Sequence, residues 1–224
     1  PNFFMDIFSE MPKINKVIHL VRDPYEWCLS NYLYHVQNPT PEKWFNKINT
    51  NINTWFNKKE LLFMSNEINL DFVHIEELIN YIKSVYNCHS DISYYQYLKS
   101  ISPEKAIIIE TTRFLLNNNY HGGCDHLRMA INSKYLNFHS KNVLTLHMNN
   151  FRYNFEHLLK KLVSFIFGDK ISKNKLKIIN NDLKKKYNDS KKGNHVTYNK
   201  YSAAHKKKLL NVLKKNKNIS FILN

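Results

Sequence analysis

The sequence predicts an α/β fold of three layers, a mostly parallel sheet flanked by helices, within a single domain over residues 1–224. Two observations carry this. The run Val17-Ile18-His19-Leu20-Val21 is short, β-branched and almost continuously apolar, which suits a strand buried on both faces of a parallel sheet. A second such run, Val143-Leu144-Thr145-Leu146, is separated from the first by segments of helical periodicity and followed by another, so the order is strand, helices, strand, helix.

Residues 2–11 read as an irregular or short helical lead-in to the first strand. Arg22-Asp23-Pro24 ends that strand, and Pro24 suits the first turn of a helix expected to run to about Gln37. Pro39 and Pro41 stop it. Apolar positions at helical spacing predict helices over 42–52 and 75–86, with an unassigned stretch between them. Ser102-Pro103-Glu104 marks a helix start, so 106–116 is expected to be helical despite the β-branched triplet Ile107-Ile108-Ile109. After Gly122-Gly123, residues Cys124, Leu127, Ile131, Tyr135 and Phe138 form an apolar stripe at spacings of three and four, an amphipathic helix. Beyond the second strand, 155–167 predicts a helix with Leu158, Leu159, Leu162, Phe165 and Ile166 on its buried side, ended by Gly168. A basic helix over 174–186, a loop over 189–201 and a helix capped by Ser202 and running to about Leu213 complete the chain. No repeat and no interdomain linker is visible.

Composition bounds the function. With 43% apolar and 14% aromatic residues in 224, the chain can bury a core. Lys+Arg 33 against Asp+Glu 18 gives +15, a balance that favours polyanionic partners, although lysine is spread through Asn-rich stretches as a solvated surface would have it. The aromatics fall on apolar helix faces instead of alternating with lysines, which disfavours a specific nucleic-acid module. Cys28, Cys88 and Cys124 have no zinc spacing, and no metal is expected. An oxidising compartment would permit Cys88 to pair with Cys124; three free thiols fit equally well. No apolar run reaches the length of a membrane span.

The most informative stretch places Arg22 at a strand's carboxyl end and Ser30 two turns into the next helix. Ligands of open α/β sheets bind at that carboxyl edge, a guanidinium grips phosphate bidentately, and a serine hydroxyl can add a hydrogen bond. Here the chain resembles the PAPS-dependent sulfotransferases of the carbohydrate-modifying, heparan-sulfate-type branch. Their 3′-phosphate motif is a buried strand, Arg-Asp/Asn-Pro, a Ser about eight residues after the Arg and a Tyr shortly beyond; this chain has Arg22-Asp23-Pro24, Ser30 and Tyr32. Pro1-Asn2-Phe3-Phe4 is similar to the family's Pro-x-Tyr-Phe segment. Gly123, Leu127, Phe138, the strand at 143–146 and the helix ending at Gly168 look like its later Gly-x-Tyr-x-x-x-Leu helix, strand and Phe-Leu-Gly helix, with Cys124-Asp125 departing from the Tyr region. Lys191-Lys192-Gly193-Asn194-His195 resembles its Lys-Gly-Arg loop, with Asn194 where Arg is usual; a glycine there lets backbone N–H groups approach phosphate.

The resemblance implies the sulfotransferase, P-loop-like fold, incomplete at the N-terminus. It implies a transferase that moves a sulfuryl group from PAPS to a hydroxyl or amine, of a carbohydrate acceptor, and releases PAP. Arg22, Ser30, Lys191, Lys192, Gly193 and Asn194 would bind the donor. The family's 5′-phosphosulfate loop, of the Lys-x-Gly-Thr-Thr type, and its acceptor base lie upstream of the Pro-x-Tyr-Phe segment and are not among these 224 residues. The sequence therefore reads as a C-terminal portion, inactive by itself, of a protein anchored in the Golgi membrane by a segment further upstream. A sulfotransferase-like domain that binds PAP or polyanions without transfer is the alternative. Among eleven histidines, His19 reads as core and His195, beside the basic loop, as the one to test.

Overall fold

A computed structural model describes residues 16–38, 40, 43–48, 72–87, 91–116, 142–148, 150, 154–168, 172–190 and 201–223. In chain order these form β1 (Val17–Val21), α1 (Pro24–His35), a 3-10 turn (Lys43–Asn46), α2 (Phe72–Asn87), α3 (Tyr94–Ser100), α4 (Pro103–Leu116), β2 (Val143–His147), α5 (Phe155–Phe167), α6 (Lys173–Ser190), α7 (Ala203–Lys215) and α8 (Lys217–Leu223). The described structure is mostly helical with a small two-stranded parallel sheet. No helix among the described residues is long and apolar enough to cross a membrane. The chain divides into two compact units, one holding β1, β2, α5 and α6, the other α1 to α4, α7 and α8.

In the sheet unit, β1 and β2 pair in parallel from Val17 with Val143 to Val21 with His147. Hydrogen bonds from Val17 N–H to Asn142 C=O (2.7 Å) and from Met148 N–H to Val21 C=O (2.7 Å) extend the ladder at both ends. The expectation of a central strand buried on both faces does not hold. Ile18 and Leu20 are 43% and 55% exposed, because a parallel strand is covered on both sides only where further strands and helices flank it. The helix α5 packs on β2, burying Leu146, and α6 packs on α5. The buried stripe of α5 is Leu158, Leu159 and Val163; Ile166, expected inside, is exposed in the last turn. That turn is held by Lys16, whose ammonium donates to the carbonyls of Phe165 and Ile166 (3.0 Å to the latter) and so meets the negative end of the helix dipole. Gly168 then ends α5 at φ +65° with its N–H bonded to the Ser164 carbonyl.

The helical unit is built on α4. Its residues are apolar or buried around nearly the whole circumference, and α1, α2, α3, α7 and α8 all pack against it. Pro103 stands at its first turn, as expected. Cys28, Leu29 and Leu33 of α1, Ile75 and Ile82 of α2, Tyr94 and Tyr97 of α3, and Leu209 and Leu213 of α7 fill the core. Of the helix expected over 42–52, the described part is the 3-10 turn that buries Phe45. Two elements were not anticipated. A capping box starts α3, with the Ser93 hydroxyl accepting from Gln96 N–H and the Gln96 side chain accepting from Ser93 N–H. In α8, the Asn216 side chain accepts from Ile219 N–H at 3.0 Å and separates this short helix from α7.

Candidate anion-binding edge

Because β1 and β2 run in parallel, both carboxyl ends reach the same edge of the sheet. Arg22 follows the last residue of β1 at that edge, half-buried, with Asp23 after it and Pro24 opening α1. This is the location where an α/β sheet presents ligand-binding groups. His147 closes β2 beside it as the partner of Val21. Paired residues of neighbouring strands face the same way, so His19 shares a face with His147. Burial lowers the pKa of His19, and the charge of His147 lowers it further. The Nδ1 atom of His19 is shielded from solvent and has no hydrogen-bond partner among the described residues. His19 is thus only half-buried, less enclosed than the core position expected of it.

Ser30 is placed on α1 in the helical unit, half-buried, while Arg22 belongs to the sheet unit. Tyr32, two residues on, is a core residue, its hydroxyl pKa raised by burial first and then by Tyr201, Glu104 and Glu110. The expected donor ligands Lys191, Lys192, Gly193 and Asn194 lie outside the described residues, as do His195, the segments 1–4 and 122–138, and Cys88 and Cys124. Cys28 is buried and forms no disulfide among the described residues. No group of three or more His, Cys, Asp or Glu side chains suited to a metal occurs among the described residues.

The most developed polar constellation escaped the sequence reading. Inside the helical unit, Glu110 is fully buried and accepts from Asn31 Nδ2 (2.8 Å), His35 Nδ1 (2.6 Å), the Tyr94 hydroxyl (3.0 Å) and Arg113 Nε (2.7 Å), with a second bond from the Arg113 fork. An ionised carboxylate only accepts, so His35 carries a hydrogen on Nδ1. Arg113 lies over the rings of Trp44 (5.1 Å) and Phe45 (5.4 Å), and His35 stacks on Phe45 at 4.4 Å. Burial alone would raise the Glu110 pKa; the adjoining Arg113 charge and its bonds, with those of His35, outweigh it and hold the carboxyl at about 2. Burial likewise opposes the charge of Arg113, and Glu110 more than restores it. Every acceptor site of the carboxylate is engaged within the core, so the arrangement ties α1, α3 and α4 together and offers no open position to a ligand.

The chain matches no family model, no curated protein and no solved structure at a significant level.

Proposed function

We propose that the chain binds the 3′-phosphate of a 3′-phosphoadenosine nucleotide through Arg22, as part of a PAPS-dependent sulfotransferase with a three-layer α/β domain. The observation that carries this reading is the parallel pairing of β1 and β2, which sets Arg22 at the sheet's carboxyl edge directly before a proline-started helix. A guanidinium there supplies the fork of donors that a phosphate dianion accepts, and the net charge of +15 favours approach of the anionic nucleotide. The sequence resemblance alone adds Ser30, Lys191, Lys192, Gly193 and Asn194 as donor ligands. The acceptor, a hydroxyl or amine of a glycan, and a Golgi location follow from the sequence resemblance alone. The same nucleotide site would serve a domain that holds PAP without transferring sulfate.

Calorimetric titration of PAP, with adenosine 5′-phosphate as the ligand that lacks the 3′-phosphate, tests the reading. Arg22→Ala removes a charge-assisted bidentate contact worth about 1.5–3 kcal/mol, or roughly 10- to 150-fold in affinity. The loss is expected for PAP and not for adenosine 5′-phosphate. Equal weakening of both nucleotides, or none, would transfer the binding to the general basic surface.

A further inference from the structure

In the sheet unit, α5 and α6 form an antiparallel pair whose joined end is both basic and apolar at its surface. Lys184, late in α6, bonds Glu156 in the first turn of α5 at 2.8 Å. Phe167 lies eleven residues beyond Glu156 and Lys173 eleven before Lys184, so each helix runs about 16 Å from that ion pair to the same end, where the connection opens at Gly168. Leu176, Ile179 and Leu183 of α6 are half-buried at spacings of three and four, the stripe that packing on α5 requires. At the joined end, Ile166 and Phe167 are 41% and 50% exposed, and Ile178, outside the packed stripe of α6, is 61% exposed. Lys173, Lys175 and Lys177 are exposed beside them and form no ion pair among the described residues. The first turn of α6 holds no acidic residue and brings the positive end of its dipole here, while Lys16 covers the negative end of α5 by donating to the carbonyls of Phe165 and Ile166. Glu156, Asp182 and Asp189 stand towards the other end of the pair, and Asp169 in the connection is offset in charge by Lys170.

We propose that this end of the α5–α6 pair docks on an anionic membrane surface, its lysines meeting the lipid headgroups and Ile166, Phe167 and Ile178 entering the boundary with the acyl chains. The proposal goes beyond the nucleotide-binding reading and does not depend on it. Charge complementarity selects an anionic partner, since lysines close to a negatively charged bilayer are attracted within the screening length. The apolar side chains then select the bilayer over a soluble polyanion. A nucleic-acid duplex or a sulfated glycan presents charge with no apolar layer beneath it, whereas a lipid interface takes up both parts of such a surface. A second copy of this chain would bring the same lysines against these and be repelled. No helix among the described residues is long and apolar enough to cross a membrane, so the contact is one of the surface.

The test is co-sedimentation of the full 224-residue chain with vesicles of phosphatidylcholine alone and of phosphatidylcholine mixed with phosphatidylserine. Wild type is expected to bind the mixed vesicles and not the neutral ones. A lysine near an anionic bilayer contributes about fivefold in affinity, so Lys173→Gln, Lys175→Gln and Lys177→Gln together should weaken binding to the mixed vesicles roughly 100-fold. Ile166→Ser with Phe167→Ser changes no charge and should weaken it about tenfold through lost apolar burial. Lys207, Lys215 and Lys217 are exposed on α7 and α8, in the other unit; their replacement by glutamine removes the same charge and should leave binding within about twofold of wild type. All of these side chains are exposed, so the substitutions spare the core. Equal binding to neutral and anionic vesicles, or an equal loss from the two lysine sets, overturns the proposal. Wild-type binding by the Ile166→Ser, Phe167→Ser protein overturns it as well and leaves a surface that reads polyanions by charge alone.

Discussion

Replacing Glu110 with glutamine removes one charge from the centre of the helical unit and leaves the other. The Arg113 side chain is only 4% exposed and bonds Glu110 through both Nε and its terminal nitrogen. Glutamine keeps the shape and one carbonyl oxygen, but its NH2 group must stand either at Oε1, where Asn31, His35 and Arg113 donate, or at Oε2, where Tyr94 and Arg113 donate. Breaking a buried pair from one side costs about 3–5 kcal/mol, since the remaining charge is uncompensated. Against a total of about 5–15 kcal/mol for a folded domain, that is roughly a fifth or more of the stability. The pKa leads to a similar figure. Lowering a carboxyl from its ordinary 4.5 to about 2 corresponds to roughly 3 kcal/mol favouring the folded state. Because the folded pKa is depressed, this contribution is present above about pH 4.5 and is lost as pH falls towards 2. Urea unfolding followed by far-UV circular dichroism and by Trp44, whose ring lies under Arg113, would measure both effects. Glu110→Gln should unfold at markedly lower urea at pH 7, and its stability should change less than that of wild type between pH 4.5 and 2. The double change Glu110→Met with Arg113→Met removes both charges together and should recover most of the loss. A Glu110→Gln protein within about 1 kcal/mol of wild type would refute the argument that this pair is dry and mutually dependent.

Three smaller perturbations probe the fold and the donor loop. Gly168→Ala should destabilise by about 1–3 kcal/mol in thermal unfolding, because φ +65° with ψ −162° is a backbone region open essentially to glycine, even though nothing lies within 4 Å of an added Cβ. Ser93→Ala removes one half of the α3 capping box and should cost about 1 kcal/mol in urea unfolding, with Ser93→Asn restoring most of it. Lys192→Ala should weaken PAP binding less than Arg22→Ala does, since a lysine acts as a flexible, partly screened point charge; calorimetry showing the reverse order would make the basic loop the principal phosphate contact.

Where one physical cause dominated, the sequence was legible. Val17–Val21 and Val143–His147 are strands because β-branched runs bounded by turn residues admit little else, α1, α4 and α7 begin where Pro24, Pro103 and Ser202 suggested, and α5 spans the range expected of it. Their parallel pairing could be anticipated from the intervening helices, but their number could not, and so Ile18 and Leu20 were expected on a covered face that the sheet does not provide. Phe155–Phe167 shows how periodicity fixes an element and still misplaces part of its inner face: Val163, outside the expected stripe, is buried, whereas Leu162 and Phe165 are half-buried and Ile166 is exposed. The Glu110 network was missed for a different reason. Glutamate and arginine three apart on a helix ordinarily read as a solvent-exposed pair worth a few tenths of a kcal/mol. The contrary signal lay in their neighbours. Ala106, Ile107, Ile109, Thr111, Thr112, Phe114 and Leu115 leave α4 no polar face on which to carry an exposed pair, and each is buried. A helix apolar on all sides must be enclosed, and a charged residue within it must find its counter-charge inside as well. By that reasoning Arg113 identifies itself as the partner of Glu110, and the hydrogen-bonding residues Asn31, His35 and Tyr94 on the helices packed against α4 become the only remaining surprise.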